Sequence, residues 1–259
     1  MSLQPDMNNW TLVAAVNDEG VLRSSLLKSP DIDARCQVVL RSGYENAGRA
    51  YNAGLSEAAN EIVVLAHQDV YLPPGWAARA QEGLARLDEK WAVAGVVGVA
   101  KSGSVAGHIY SAGLARTVGT PFDRPVECGS LDEMVLILRL SSGLRFDERL
   151  PGFHLYGTDV CLGAAEKGLK SYVIPAFCIH NSNRVVRLPA AFWRAYLYMR
   201  RKWRRQLPVR TLCTTITSGC GPMAWSVIRG VVTSNGRGGK RCADPERLCR
   251  ELVAEWVEQ

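Results

Sequence analysis

The segment EIVVLAHQDVYLPPGW, Glu61 to Trp76, carries the strongest chemical signal in the chain. Ile62–Ala66 is apolar and largely β-branched, as a buried strand should be, and it runs straight into His67, Gln68 and Asp69. In an open parallel sheet the carboxyl ends of the strands are where ligands bind. An aspartate there can hold a hard divalent cation, which in turn neutralises a diphosphate. An amide beside it can hydrogen-bond sugar or ribose hydroxyls without adding charge. The plain alternative is a strand-end turn, where aspartate is common without any ligand.

Such residues need elements to position them, and the sequence supplies an alternation. WTLVAAV (Trp10 to Val16) reads as a buried strand and GVLRSSLLK as the start of a short helix. CQVVL (Cys36 to Leu40) is a second strand, and NAGRAYNAGLSEAA (Asn46 to Ala59) an Ala-rich helix with Asn52 as a structural residue. Ile62–Ala66 is the third strand, Pro73-Pro74 opens another helix, and AVAGVV (Ala92 to Val97) is a fourth strand. This order predicts an α/β fold, a mostly parallel central sheet with helices on both faces. Beyond Gly98, Gly/Ser loops alternate with HIYSAGL and EMVLILRL, which predicts an antiparallel or mixed extension. GVVGVAKSGS reads as a loop. GTDVCLGAAEKG (Gly157 to Gly168) is a helix with Thr158 as N-cap and Gly168 as its stop, followed by the strand SYVIP.

Composition excludes several classes. With 259 residues, 47% of them hydrophobic and 22% charged, the chain suits one large α/β domain with an appendage. No run approaches the roughly 18 apolar residues of a membrane span. The start, MSLQPDMNNW, has neither the basic nor the apolar part of a signal peptide, so a cytoplasmic location is expected. The eight cysteines form no CxxC pair and read as reduced packing thiols. There is no GxxxxGK[ST], and no GxGxxG follows the first strand, which argues against a kinase, an ATPase or a dinucleotide-dependent dehydrogenase.

Taken in order, a strand ending VND, the helix with AYNAGL, IVVLAHQD and FDERLPGFHLYGTDVCLGAAEKGLKSYVIP…IHNS resemble the GT-A glycosyltransferases, specifically family-2-like bacterial ones. The resemblance spans Trp10 to Ser182. It implies transfer of a sugar from a nucleotide-sugar donor to a hydroxyl acceptor, inverting and dependent on a divalent cation, Mn2+ or Mg2+. HQD then stands where the family has DxD, with Asp69 as the metal-holding aspartate and His67 replacing the first acid. His180 matches a histidine that serves as a further metal ligand, and Asp159 matches the catalytic aspartate, preceded by Thr158 where an acid is usual. A carboxylate in the first turn of a helix is well placed to accept the acceptor's proton. Asp132 and Glu133, ahead of an apolar strand, are competing carboxylates. The resemblance also places Asn17 and Glu19 near the base, Arg41 and Asn46 near ribose or phosphate, Gln68 on hydroxyls, and His154 and Tyr156 on the acceptor side.

The charge is local. Between Arg184 and Arg210 there are nine Arg or Lys and no acid, although the whole chain carries only +6. Within that stretch Phe192, Tyr196, Met199 and Trp203 recur at helical spacing. The expected organisation is therefore a catalytic domain over residues 1–185 and a basic, mainly helical C-terminal extension over 186–259. The aromatic stripe has two readings, packing on the catalytic domain or peripheral contact of 192–205 with anionic lipid at the inner membrane face. No nucleic-acid partner is expected. The rival functions are a nucleotidyltransferase, for which AAVNDEGVLRSS is too acidic and glycine-poor, and a catalytically silent sugar- or partner-binding module.

Overall fold

The structure, a computed structural model, describes residues 7–183, 188–219, 221–225 and 239–257. The first three strands are β1 (Trp10–Val16), β2 (Cys36–Ser42) and β3 (Ile62–Ala66). They lie side by side in the order β2-β1-β3, all parallel. Next come β4 (Val70–Tyr71), β5 (Trp91–Gly95), β6 (Val97–Ala100), β7 (Val105–Ser111) and β8 (Arg116–Gly119). The last strands of the sheet are β9 (Val126–Leu131), β10 (Val135–Arg139), β11 (Lys170–Val173) and β12 (Cys178–His180). The path β2-β1-β3-β10-β5-β11 is the central half; β10 runs against the other five strands, which are mutually parallel. It continues through β9, β6, β7, β12 and β4 as a mixed extension.

Two elements differ from the sequence reading. EMVLILRL forms β10 and is inserted between β3 and β5 rather than in the extension. Its side chains are apolar at every position from Val135 to Leu138, the pattern of a strand buried on both faces, so only tertiary pairing decides where it lies. The Gly-rich stretch after Gly95 is also not all loop, since Val97–Ala100 pairs with both β7 and β9.

Alternation along the strands sorts two cores. Leu12, Ala14, Ile62, Val64 and Ala66 pack on one face under α1 (Glu19–Ser24) and α3 (Trp76–Leu84). Val13, Val63 and Leu65 face the other side, under α2 (Ala47–Glu57), α4 (Tyr156–Glu166) and α5 (Ala190–Lys202). Helix α2 lies so close to β1 that a Cβ on Gly54 would come within 2.3 Å of Val13 Cγ1.

The helix starts show how local chemistry is met. Asp18 caps α1 through the Val21 N–H, and Asn46 caps α2 through the Arg49 N–H. Helix α3 begins after the proline pair and takes its cap from afar, Asp31 accepting from Gly75 and Ala77 N–H. Helix α4 starts two residues before the expected cap. Leu155 precedes it at φ 64°, and Thr158 is instead inside, its Oγ1 2.8 Å from Ser130 Oγ. Gly157 is required there, because a Cβ would meet Leu131 O at 2.6 Å.

The boundary expected at residues 185/186, with the basic residues Arg184 and Arg187, lies outside the described residues. Helix α5 and its last turn share the core of the preceding strands and helices: Phe192, Tyr196, Met199 and Trp203 are each at most 4% exposed and join the cluster under α4. The stripe therefore packs inward and does not form a lipid-facing surface. The C-terminal helix α6 (Pro245–Val257) starts from Asp244, whose Oδ1 accepts from Arg247 N–H at 3.0 Å. It places Cys249 and Leu252 on Tyr71 and Ile179. Cys36, Cys128, Cys161, Cys178 and Cys249 are buried free thiols, as expected of packing cysteines. No helix among the described residues is long and apolar enough to cross a membrane.

Candidate active site

Three parallel strands ending at one edge leave a hollow above their carboxyl ends, and here it is a cavity of about 700 Å³. Asn17 and Glu19 from the end of β1, Arg41 and Tyr44 from the end of β2, and Gln68 and Asp69 after β3 contribute to its wall. The ends of β1 and β3 are tied together by Gln68. Its Oε1 accepts from the N–H groups of Asn17 and Asp18 at 3.0 and 3.1 Å, and its Nε2 donates to Asn17 Oδ1 at 2.5 Å. Gln68 thus lines the cavity while its amide holds the loop after β1 in place.

The turn His67–Asp69 is fixed by backbone bonds, His67 N–H to Met134 O and Val70 N–H to His67 O. Strand β4 leaves directly from Asp69 and pairs antiparallel with β12, in the register His180 opposite Val70. That register brings His180 to Asp69 across 110 residues of chain, with Nε2 3.4 Å from Oδ1. The rings of His67 and His180 meet edge-on at 5.9 Å. One donor atom from each of His67, Asp69 and His180 fits within a 4.8 Å spread, and no cysteine is in the group.

The electrostatics favour an anionic Asp69. Its burial works against the charge, but the hydrogen bond and charge of His180 outweigh this and hold the carboxyl well below its usual range. Burial pulls His180 down, and the same contact with Asp69 more than reverses it, so its pKa rises. Burial dominates at His67, which is lowered and therefore held neutral, as a ligand must be. Tyr156 hydroxyl lies 2.9 Å from His67 Nε2, 3.3 Å from Tyr51 hydroxyl, and donates to Glu133 O at 3.2 Å. With its proton on Glu133 O, it accepts from His67 Nε2–H and leaves Nδ1 open. Two imidazoles and a carboxylate suit a cation such as Mn2+ better than Mg2+, which prefers an all-oxygen shell.

The other expected residues divide. Asn17, Glu19, Arg41, Gln68 and Asp69 line the cavity. Arg41 reaches back from it to ion-pair with Glu57. Asn46 is buried and does not line it; beyond capping α2, its Nδ2 donates to Glu148 O at 3.0 Å, a structural use of the whole amide. Asn52 is structural too, bridging α2 to the FDERL segment through Phe146 N–H and O. Tyr156, expected on the acceptor side, is 1% exposed, with its hydroxyl on His67. His154 is half-buried against Phe192, with a pKa lowered by burial.

Asp159 is placed differently from a free base. It is 4% exposed, and its carboxylate accepts from Lys202 Nζ at 2.7 and 2.9 Å and from Trp203 Nε1 at 2.7 Å. Burial nevertheless raises its pKa against the pull of Lys202. Glu133 is half-buried, its pKa raised by burial and by the charge of Asp132. Asp132 is half-exposed, and its charge reaches His67, His154 and His180. Tyr44 and Phe153, both on the cavity wall, were not singled out by sequence. They sit in irregular loops, where no periodicity distinguishes an aromatic wall residue from any other.

No family model matches the sequence. The chain is 33% identical over 171 residues to the protein described as ATP synthase subunits region ORF 6 of Fuscovulum blasticum, covering 62% of this chain and 67% of that one. That description states no activity. Among solved structures, the mannosyltransferase PcManGT from Pyrobaculum calidifontis, in complex with GDP-Man and Mn2+, superposes with TM-score 0.50 at 11% identity. The match covers 97% of this chain and 81% of that one. GalNAc-T7, with UDP, GalNAc and Mn2+, gives TM-score 0.49 at 9% identity, and this chain, matched over 74% of its own length, spans 48% of it. The chain therefore has the GT-A fold seen in glycosyltransferases and belongs to the family of the Fuscovulum blasticum ORF 6 protein.

Proposed function

We propose that the protein is a glycosyltransferase that moves a sugar from a nucleoside-diphosphate donor to a hydroxyl acceptor. The observation that carries this reading is the His67–Asp69–His180 cluster at the rim of a cavity large enough for a nucleotide, on the strand ends where this fold places its ligands. The mannosyltransferase PcManGT, of similar fold, is solved with GDP-Man and Mn2+, which supports the same assignment at a general level.

On this reading His67, Asp69 and His180 would hold a cation, which would offset the charge of the leaving diphosphate. Glu19 and Asn17 sit toward the base, and Tyr44 offers it an aromatic face. Asp132, half-exposed just before β10 and close enough for its charge to act on His67, His154 and His180, takes the acceptor hydroxyl's proton, with His154 on the acceptor side. Direct attack by that hydroxyl on the anomeric carbon inverts its configuration, and the diphosphate leaves with the bonding electron pair.

Calorimetric titration of manganese, with and without UDP or GDP, tests the reading. Mn2+ should bind weakly alone and much more tightly with the diphosphate, and Asp69→Ala should abolish that coupling. Full coupling in Asp69→Ala would place the donor site elsewhere.

A further inference from the structure

Asn181 follows His180 directly, is fully buried, and has every polar atom in use. Its N–H donates to Asp69 O at 2.8 Å, so its backbone is part of the wall that holds the cation cluster. Its side chain clamps a distant segment: Oδ1 accepts from Cys242 N–H at 2.7 Å, and Nδ2 donates to Cys242 O at 2.9 Å and to Ser25 Oγ at 3.2 Å. Two bonds between one amide and one residue's backbone reproduce the pairing of adjacent strands, which fixes residue 242 closely. The neighbouring residues are pinned as well. Gly239 N–H donates to Gly113 O at 3.2 Å, and Arg241 N–H to Asn183 Oδ1 at 3.1 Å.

The residue this clamp delivers is Arg241. Its Nε donates to Asn181 O at 3.1 Å, on the residue that follows His180 and whose own N–H bonds Asp69 O. Among the described residues Arg241 forms no ion pair with a carboxylate. A half-buried guanidinium beside a cation site is unfavourable by like-charge repulsion unless an anion joins them. A diphosphate bound to the cation is such an anion, and a planar fork of N–H donors matches phosphate oxygens.

We propose that Arg241 is a ligand of the donor's diphosphate, carried to the cation cluster by the segment 239–242 that Asn181 clamps. This rests on the glycosyltransferase reading and extends it by making the C-terminal region part of the donor site. Sequence alone hides it, because Arg241 lies in the Gly- and Arg-rich stretch SNGRGGKRC, 61 residues after His180, inside a generally basic region.

The test is calorimetry on the full chain, parent and Arg241→Gln, Arg241→Lys and Lys240→Gln, with Mn2+ alone and with Mn2+ plus UDP or GDP. Arg241→Gln should weaken diphosphate binding by about 10-fold or more, while Mn2+ alone binds no more weakly than in the parent, because a like charge has been removed. Arg241→Lys should recover part of the loss, and Lys240→Gln, an exposed neighbour, should match the parent. The proposal is overturned if Arg241→Gln binds the diphosphates like the parent, or if Lys240→Gln loses as much. It also falls if Arg241→Gln loses Mn2+ alone to the same degree, which would make the arginine a support of the cluster. Absence of any coupling in the parent is a different result and removes the donor reading itself, with this proposal.

Discussion

Asp132 and Asp159 are two carboxylates with opposite surroundings, and their variants should separate accordingly. Asp132→Asn keeps shape and removes the proposed proton acceptor, so kcat should fall about 10²-fold or more while diphosphate affinity persists. Loss confined to KM would make Asp132 a sugar contact instead. In Asp159→Asn the bonds from Lys202 and Trp203 lose their charged acceptor. That should cost about 2 kcal/mol, or about 5 °C in Tm, with kcat within a few-fold of the parent. A 10²-fold loss in Asp159→Asn at parental Tm returns the base to α4. Asp69 and His180 were legible as chemical residues from their strand-end position and from family resemblance. Asn46 and Tyr156 use their polar atoms within the fold, as a cap and as a hydrogen-bond partner of His67, and sequence does not distinguish such a use from contact with a ligand.

At the scale of the element, α5 is held to the FDERL segment by charge as well as by its aromatic stripe. Asp147 accepts from Tyr198 hydroxyl at 2.6 Å, and Lys202 Nζ lies 2.9 Å from it while also serving Asp159. Burial disfavours the Asp147 anion, but the bonds from Tyr198, Lys202 and Arg149 prevail and hold its pKa well below the usual range. A carboxylate lowered in the folded state binds its proton more readily when unfolded. Its stabilisation is therefore complete above the unfolded pKa of about 3.9 and is lost as pH falls toward the folded value. Asp147→Asn should have a Tm about 5 °C below the parent near neutral pH, and the gap should close progressively below about pH 3.9. A gap that stays constant down to pH 2 would show that packing, and not charge, anchors α5. The stripe's burial means that Phe192→Ala or Trp203→Ala should cost about 3–5 kcal/mol through lost packing.

For the whole molecule, the buried stripe leaves the basic rim at the end of α5 as the remaining candidate for an anionic surface. Arg201, Arg204 and Arg205 are exposed around a hollow of about 350 Å³. If that rim meets anionic lipid, vesicles containing phosphatidylserine should bind the protein at low salt and release it as salt rises, since screening shortens with ionic strength. Replacing the three arginines with Gln should abolish binding with Tm unchanged. Parental binding by the triple variant would exclude the rim.

Much of the architecture was determined by the sequence alone, because its signals are local. Continuous apolar runs at Trp10–Val16 and Ile62–Ala66, with helix-forming stretches between, specify buried parallel strands under helices. The HQD turn needs only to follow β3 to lie on the ligand-binding edge. Tertiary structure alone decided what depends on pairing between distant strands. The run Val135–Leu138 would suit any buried strand position, and it lies between β3 and β5 because its partners are there. His180 reaches Asp69 through the register of β12 on β4, and Arg241 approaches both through the buried amide of Asn181. Asp159 turns to Lys202 because α5 docks beside α4. Each of these is a contact between segments far apart in the chain, where no local propensity distinguishes one partner from another.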